Sequence, residues 1–366
     1  MECLKCNGEV KEIKLLGKVI CFDCGFFIKD FEKVESKEIE DKIKRSIGLI
    51  LMEINGVSTK LKLPLKVIKN ACKVYRENVR DGLFCGPRWE EVISGCIYYA
   101  CKKNNVKKDL IEISEVVKGD VKDSKDIFDR LKEKEDLEYK KLIKGTEEKL
   151  REIEKHKEKY FIEILDTKFI IFPGVFSPKY FEDPEFFVEN IKVKENEEFA
   201  EIGCGSGIVS VNVAMKGCKV YCTDINENAV ENTKENAKMN NVELNVFLGD
   251  MFDPLPRMRF DTIFWNFPFG YVERENLTVL EKSVFDPYYK NFKRFIFEAR
   301  DYLKKNGKVL IGTSRNMGKQ EIVENLLTKA GFKFKVVKEI YKENANSHSG
   351  LNFNLIEARL KKYINN

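Results

Sequence analysis

The chain has 366 residues, 43% hydrophobic and 34% charged, with a formal net charge of +5. One hydrophobic core stops growing near roughly 250 to 300 residues, so two or three domains are expected; no apolar run approaches the roughly 20 residues that span a bilayer, so no membrane association is expected. Two histidines, His156 and His348, leave a His-rich metal centre or a Ser-His-Asp triad almost without material, so carboxylates, amides, aromatics and backbone must carry any chemistry.

The N-terminus reaches Cys3 and Cys6 without the basic-then-apolar pattern of a secretory signal, which points to the cytoplasm. Residues 1–35 read as a metal-held ribbon. Cys3 and Cys6 form one C-x-x-C pair and Cys21 and Cys24 a second, with β-rich arms at Glu9–Leu15 and Lys18–Ile20 between them. Four thiolates at this spacing suit tetrahedral zinc, and a closed four-cysteine shell leaves no open position for catalysis, so the zinc is expected to be structural.

From residue 36 to 121 apolar residues recur at helical spacing, as in Val67, Ile68, Ala71, Cys72 and Tyr75 and again in Val92, Ile93, Cys96, Ile97 and Ala100. An all-helical domain is expected here. Residues 41–110 hold 15 Lys and Arg against 7 Asp and Glu, an excess that favours a polyanion through counterion release, although a Lys-rich surface alone gives the same count. The segment "LKLPLKVIKNACKVYRENVRDGLFCGPRWEEVISGCIYYACKKNNV" resembles the cyclin-like repeat of transcription factor IIB, and "GKVICFDCG" resembles the zinc ribbon preceding that repeat. That family carries two repeats where one is visible here. The resemblance implies basic helices used against nucleic acid, with Lys66, Lys69, Lys73, Arg76, Arg80, Arg88, Lys102 and Lys103 as candidates; the alternative is a cyclin fold reused as a protein-binding adaptor. Residues 122–160 form a charge-laced helical run with Glu and Lys three or four apart, read as a solvated connector that Gly145 should interrupt near the domain border.

Residues 161–366 form the last expected domain, and after Glu198 the chain changes to β-α alternation. Phe199–Ile202 reads as a strand, "GCGSG" as a turn and Ile208–Met215 as a helix, so Gly203, Gly205 and Gly207 allow close backbone approach and aim helix N-terminal amides at a ligand. Glu201 precedes the turn. A second strand ends in Asp224, placed to accept both hydroxyls of a ribose, and a third, Leu244–Leu248, runs into Gly249 and Asp250, placed to accept an adenine amine. A fourth, Phe260–Trp265, runs into Asn266-Phe267-Pro268-Phe269. In this order the elements resemble the class I S-adenosylmethionine-dependent methyltransferases, in particular the branch methylating amino groups with an N-P-P-Y or N-P-P-F signature. The resemblance implies a Rossmann-like seven-stranded α/β domain. It also implies cofactor contacts at Glu201, Gly203, Gly205, Gly207, Asp224, Asp250 and Asn266, with the tetrad as the catalytic element. "PGVFSP" at 173–178 additionally resembles the entry segment of ribosomal RNA guanine methyltransferases.

A conjugated NH2 is a poor nucleophile because its lone pair is delocalised. Acceptors on its N–H bonds, here the Asn266 side-chain oxygen and the Phe267 carbonyl, help to localise that pair while Phe269 stacks on the flat group. Phe267 departs from the usual proline; the carbonyl survives the change and the proline rigidity does not. Cys204, inside the turn, reads as a small residue that fits rather than a nucleophile. Downstream, "FKRFIFEARDYLKKNGKVLIGTS" reads as helix, Asn-Gly turn and strand, and residues 271–290, with Tyr271, Arg274, Tyr288, Tyr289 and Lys290, as a lid or substrate loop. The leading expectation is methylation of an exocyclic amino group of RNA, the N-terminal domains gripping the substrate. The alternatives are glutamine amide methylation in a translation protein and a transcription factor IIB-like regulator that senses S-adenosylmethionine.

Overall fold

The computed structural model describes residues 10–13, 18–21, 27–30, 39–79, 83–84, 87–181, 183–342 and 351–361, with side chains from residue 47 onward apart from 342 and 351. The chain divides into two compact units, residues 1–137 and 138–366.

In the first unit β1 (Val10–Ile13), β2 (Lys18–Cys21) and β3 (Phe27–Asp30) form an antiparallel sheet in that order. The four-cysteine zinc site lies outside the described residues: Cys3, Cys6 and Cys24 are not among them, and Cys21 is described as backbone at the end of β2. Among the described residues no group of three His, Cys, Asp or Glu side chains could hold a metal ion. Then follow α1 (Ile39–Lys60), α2 (Leu65–Val79), α3 (Trp89–Lys103), α4 (Leu110–Val117) and α5 (Val121–Lys155). The periodic positions expected on α2 and α3 form the buried stripe of this unit's core, together with Leu51, Ile54, Ile113 and Ile127. Gly95 belongs in that stripe because α3 and the start of α5 touch there: a Cβ would stand 2.4 Å from Ile127 Cγ2.

Gly145 does not interrupt α5, which is continuous over 35 residues. One glycine costs a helix interior about 1 kcal/mol, and packing outweighs that here. Thr146, Leu150 and Ile153, on the part of α5 that belongs to the second unit, are buried, the last two against Phe181, Val272, Leu280, Phe285 and Met317 of the same unit. The run is therefore core-forming as well as solvated, with Ile127 and Leu131 in one core and Leu150 and Ile153 in another.

The second unit continues with the hairpin β4 (Tyr160–Ile164) and β5 (Thr167–Ile171), then α6 (Asp183–Asn190), β6 (Glu198–Ile202), α7 (Ile208–Met215), β7 (Lys219–Asp224), α8 (Glu227–Met239), β8 (Leu244–Leu248) and β9 (Phe260–Asn266). It ends with the short strands β10 (Gly270–Val272) and β11 (Phe285–Pro287), then α9 (Lys290–Glu298), β12 (Leu303–Ser314), α10 (Gln320–Lys329), β13 (Phe332–Lys342) and β14 (Leu351–Leu360). The main sheet has the order β13-β14-β12-β9-β6-β7-β8, with β14 antiparallel to both neighbours and the other contacts parallel. Side chains of α6, α7 and α8 bury one face and those of α9 and α10 the other, giving three layers. Connections leave β6 in one direction and β9 in the other, so a crevice opens between the carboxyl ends of these strands. Asn306-Gly307 is not a turn: it lies inside β12, where the register against β9 shifts between Leu303 and Lys308.

The outer edge of β5 is satisfied by side chains instead of by another strand. Asn232 accepts from Phe172 N at 2.8 Å and donates to Ile170 O at 2.7 Å; Asn236 accepts from Ile170 N at 2.7 Å and donates to Ser206 O at 2.8 Å; Asn240 donates to Lys168 O at 3.0 Å. At the start of α8, Asn226 and Asn228 hold the carbonyls of Gly174 and Pro173. Spacing of four residues keeps these amides on one helix face, and a buried backbone donor left without a partner costs about 1 to 3 kcal/mol. Replacing Asn236 by Ala is therefore expected to destabilise the protein by about 2 to 4 kcal/mol, and Asn240 by Ala by under about 1 kcal/mol, measured by urea unfolding; equal losses at the two positions would contradict the ladder.

Candidate active site

The carboxyl ends of β6, β7, β8 and β9 surround a cavity of about 340 Å³. Its wall includes Glu201, Gly203, Gly205, Asp224, Asp250, Asn266 and Pro268; Gly207, Phe267 and Phe269 are not part of it.

The glycine turn is fixed from three sides. Gly205 N donates to Asp224 Oδ2 at 2.8 Å, Cys204 N to Thr223 O at 3.0 Å, and Thr233 Oγ1 of α8 to Gly205 O at 3.0 Å. Gly207 starts α7 at φ +79, and a Cβ there would stand 2.9 Å from the Thr233 side chain, so this position serves the packing of turn on helix. Asp224 also accepts from Asn226 N at 2.8 Å. Burial pushes its carboxyl pKa up, while these backbone N–H donors pull it down. Two oxygens offer about four lone-pair directions, so the carboxylate keeps acceptor capacity.

Glu201 is fully buried, accepts from Ser210 Oγ, and has its pKa pushed up to about 8, chiefly by desolvation. Cys204 is buried with its thiol pKa raised, by a hydrogen bond with Cys222 first and desolvation second, which suits its reading as a residue that fits.

Asn266 ends β9 and donates from Nδ2 to Asp183 Oδ2 at 2.6 Å; its Oδ1 is buried and has no donor among the described residues. Because a carboxylate only accepts, Asp183 fixes which end of the amide is which. Phe267 turns into the core behind the site, fully buried, 4.5 Å from Phe292 and 5.5 Å from Tyr289 between ring centroids. Phe269 is half-buried against Phe267 and Phe353, away from the cavity wall. Within 271–290, Val279, Leu280, Lys282 and Ser283 do line the cavity. Tyr289 does not belong to a mobile surface: it is fully buried, donates to Phe269 O at 2.6 Å and accepts from Lys319 N at 2.9 Å.

Further wall residues are Gly174, Val175 and Phe176, delivered by the α8 amides, together with Thr223, Trp265 and Asn291. Asp183 and the amides of α8 escaped the reading of the sequence. The spacing of Asn228, Asn232, Asn236 and Asn240 was a usable signal, whereas Asp183 lies 83 positions from Asn266 and has no local signature. Of the basic residues proposed in the first unit, Arg88 pairs with Glu91 at 2.6 Å, Lys103 with Glu135 and Lys73 with Glu77 at 3.6 Å, while Lys102 lies 4.8 Å from the Tyr98 ring centroid. Arg80 lies outside the described residues.

A methyltransferase small domain profile matches residues 166–339, and the chain is 36% identical over 188 residues to a Methanocaldococcus jannaschii protein provisionally named protein N5-glutamine methyltransferase, covering 48% of this chain and 89% of the relative. The chain belongs to the S-adenosylmethionine-dependent methyltransferases. It is also 34% identical over 153 residues to a release factor glutamine methyltransferase of Aquifex aeolicus, covering 38% of this chain and 53% of that protein. A transcription factor TFIIB repeat profile matches residues 51–134, and transcription initiation factor IIB of Pyrococcus horikoshii is 36% identical over 85 residues, 23% of this chain and 28% of the factor. The methyltransferase cofactor suits the wall that is present: a glycine turn open to close approach, the half-exposed Asp250 carboxylate, and Asp224 with lone pairs to spare. No helix among the described residues is long and apolar enough to cross a membrane.

Glu201 makes this methyltransferase's stability depend on pH. Its folded pKa of about 8 lies above the ordinary 4.5, so the folded state binds the proton more tightly. The contribution is fully present below about pH 4.5 and is lost as pH rises towards 8, by at most about 1.4 kcal/mol per pH unit crossed. In thermal melts, Glu201→Gln is expected to flatten the decline in Tm between pH 5 and 8; an unchanged decline would assign it to other groups.

Proposed function

We propose that this methyltransferase modifies the nitrogen of a planar NH2 group, and that its substrate is an exocyclic amine of RNA. The observation that carries the reading is Asn266: its Nδ2 is committed to Asp183, and its Oδ1, on a residue of the cavity wall, is an acceptor without a donor among the described residues. Such an acceptor would take an N–H bond of the substrate and help to localise its lone pair; the Phe267 carbonyl, expected to take the other, belongs to a fully buried residue off the cavity wall. Positioning is the main requirement, because the proton is lost after positive charge has formed, and no histidine is needed. S-adenosylmethionine supplies the electrophilic methyl group on its sulfonium. Gly203 and Gly205 with Glu201 would hold its chain, Asp224 its ribose hydroxyls and Asp250 its adenine amine.

Two observations favour a nucleic acid, and the first of them favours RNA. The "PGVFSP" segment, which resembles that of ribosomal RNA guanine methyltransferases, contributes Gly174, Val175 and Phe176 to the cavity wall. The repeat preceding the catalytic unit belongs to a transcription factor family. In this reading residues 1–35 form a zinc ribbon on Cys3, Cys6, Cys21 and Cys24, and residues 36–121 help to hold the substrate. A second reading, a glutamine side-chain amide in a translation protein, is favoured by the 36% identity to the Methanocaldococcus jannaschii protein and by Phe269 lying off the cavity wall, where it gives no stacking platform.

Incubation with methyl-deuterated cofactor and, separately, total RNA and total protein, followed by mass spectrometry of nucleosides and peptides, distinguishes these readings. Label in a base amine is the expected result; label only in glutamine selects the second reading. Cofactor binding without transfer to either would instead support a sensor. Asn266→Ala is expected to lower kcat by at least about 100-fold while changing cofactor Kd less than about threefold, and a fully active variant would sink the role given to the tetrad.

A further inference from the structure

Asp250 lines the cavity, yet its carboxylate is held from outside it. Arg294 of α9 donates from Nη1 to Asp250 Oδ2, from Nη2 to both oxygens of Asp253 at 2.9 Å each, and from Nε to Glu298 at 2.7 Å. Three carboxylates around one guanidinium raise its pKa still further. The helix that carries it is anchored in turn: Asp286, fully buried, accepts from Asn291 N at 3.1 Å and Phe292 N at 2.8 Å, and Asn291 lines the cavity.

We propose that Arg294 is a positioning residue that sets the purine specificity of the cofactor cavity. The proposal rests on the reading of Asp250 as the acceptor for the adenine amine. Half-exposed on a loop after Gly249, an aspartate alone would turn freely between solvent and cavity. The guanidinium fork ends that freedom, occupies Oδ2 and leaves Oδ1 as the acceptor available to an exocyclic amine. A purine with a 6-oxo group would set an acceptor against an acceptor and be rejected, because a site built for a donor penalises a ligand that lacks it. Arg294 touches no cofactor atom in this scheme and acts through Asp250.

The test is calorimetric binding of S-adenosylhomocysteine and of its inosine counterpart, S-inosylhomocysteine, to the full-length protein, so that no turnover is required. The wild type is expected to prefer the adenine compound by about tenfold or more. Arg294→Ala should shrink that preference to within about threefold, and Arg294→Gln should do the same, so the test survives if the alanine variant fails to fold. Glu298→Gln, which removes a carboxylate from the Nε edge and leaves Asp250 engaged, should keep the preference. If Arg294→Ala and Arg294→Gln weaken both ligands equally while Asp250→Ala loses the preference, Arg294 is merely structural and the proposal is overturned with the Asp250 reading intact. A preference retained in Asp250→Ala would remove the adenine assignment, and the proposal with it.

Discussion

The catalytic unit depends on a row of asparagine amides along α8. A strand edge normally finds its partners on another strand, and a helix normally presents apolar side chains to a sheet. Here Asn232 and Asn236 do the work of a missing strand, taking the N–H and C=O of Ile170 and the N–H of Phe172 with their amide donors and acceptors. A primary amide suits this task because it carries both functions in one plane, as a peptide does. The same row reaches the glycine turn through Asn236 and the segment before α6 through Asn226 and Asn228. Two walls of the cavity that are some 30 residues apart in sequence are thus referred to one helix, and Asn226, Asn232 and Asn236 each use both ends of the amide, which gives such a network its stiffness.

That arrangement bears on electrostatics. The cavity wall contains Glu201, Asp224 and Asp250, with Asp183 just behind Asn266. Four bare carboxylates so close together would repel one another and resist desolvation, and each is handled differently. Glu201 is shifted towards its neutral form, Asp224 is stabilised by backbone N–H donors, Asp250 is paired with a guanidinium and Asp183 receives an amide donor. What remains is a wall whose carboxylates are each neutralised, hydrogen-bonded or paired.

The sequence made the repeating parts of this unit readable and hid its cross-connections. Strands β6, β8 and β9 and helix α7 were legible within a residue or so, because period-two and near-continuous apolar runs followed by glycine have few other solutions. The sheet followed only through resemblance. Gly145 misled because propensity was read without the packing of Leu150 and Ile153, and Asn306-Gly307 because a strand bulge uses the same residues as a hairpin turn. Tyr289 looks like a loop aromatic in the sequence because nothing local betrays that its hydroxyl meets Phe269 O and Lys319 N. Among the basic residues of the first unit, counting charges could not reveal that Arg88 and Lys103 already have acidic partners.

Phe267 carries a different lesson. Its ring is an interior residue of the aromatic cluster formed with Tyr289 and Phe292, while the cavity wall takes its neighbours Asn266 and Pro268. The side chain at this second position is consequently chosen by the packing behind the site. A search pattern that insists on proline there would pass over this enzyme, and any relative whose interior has drifted in the same way. The tetrad is better written with that letter free and with the identity of its hydrophobic neighbours made the companion criterion.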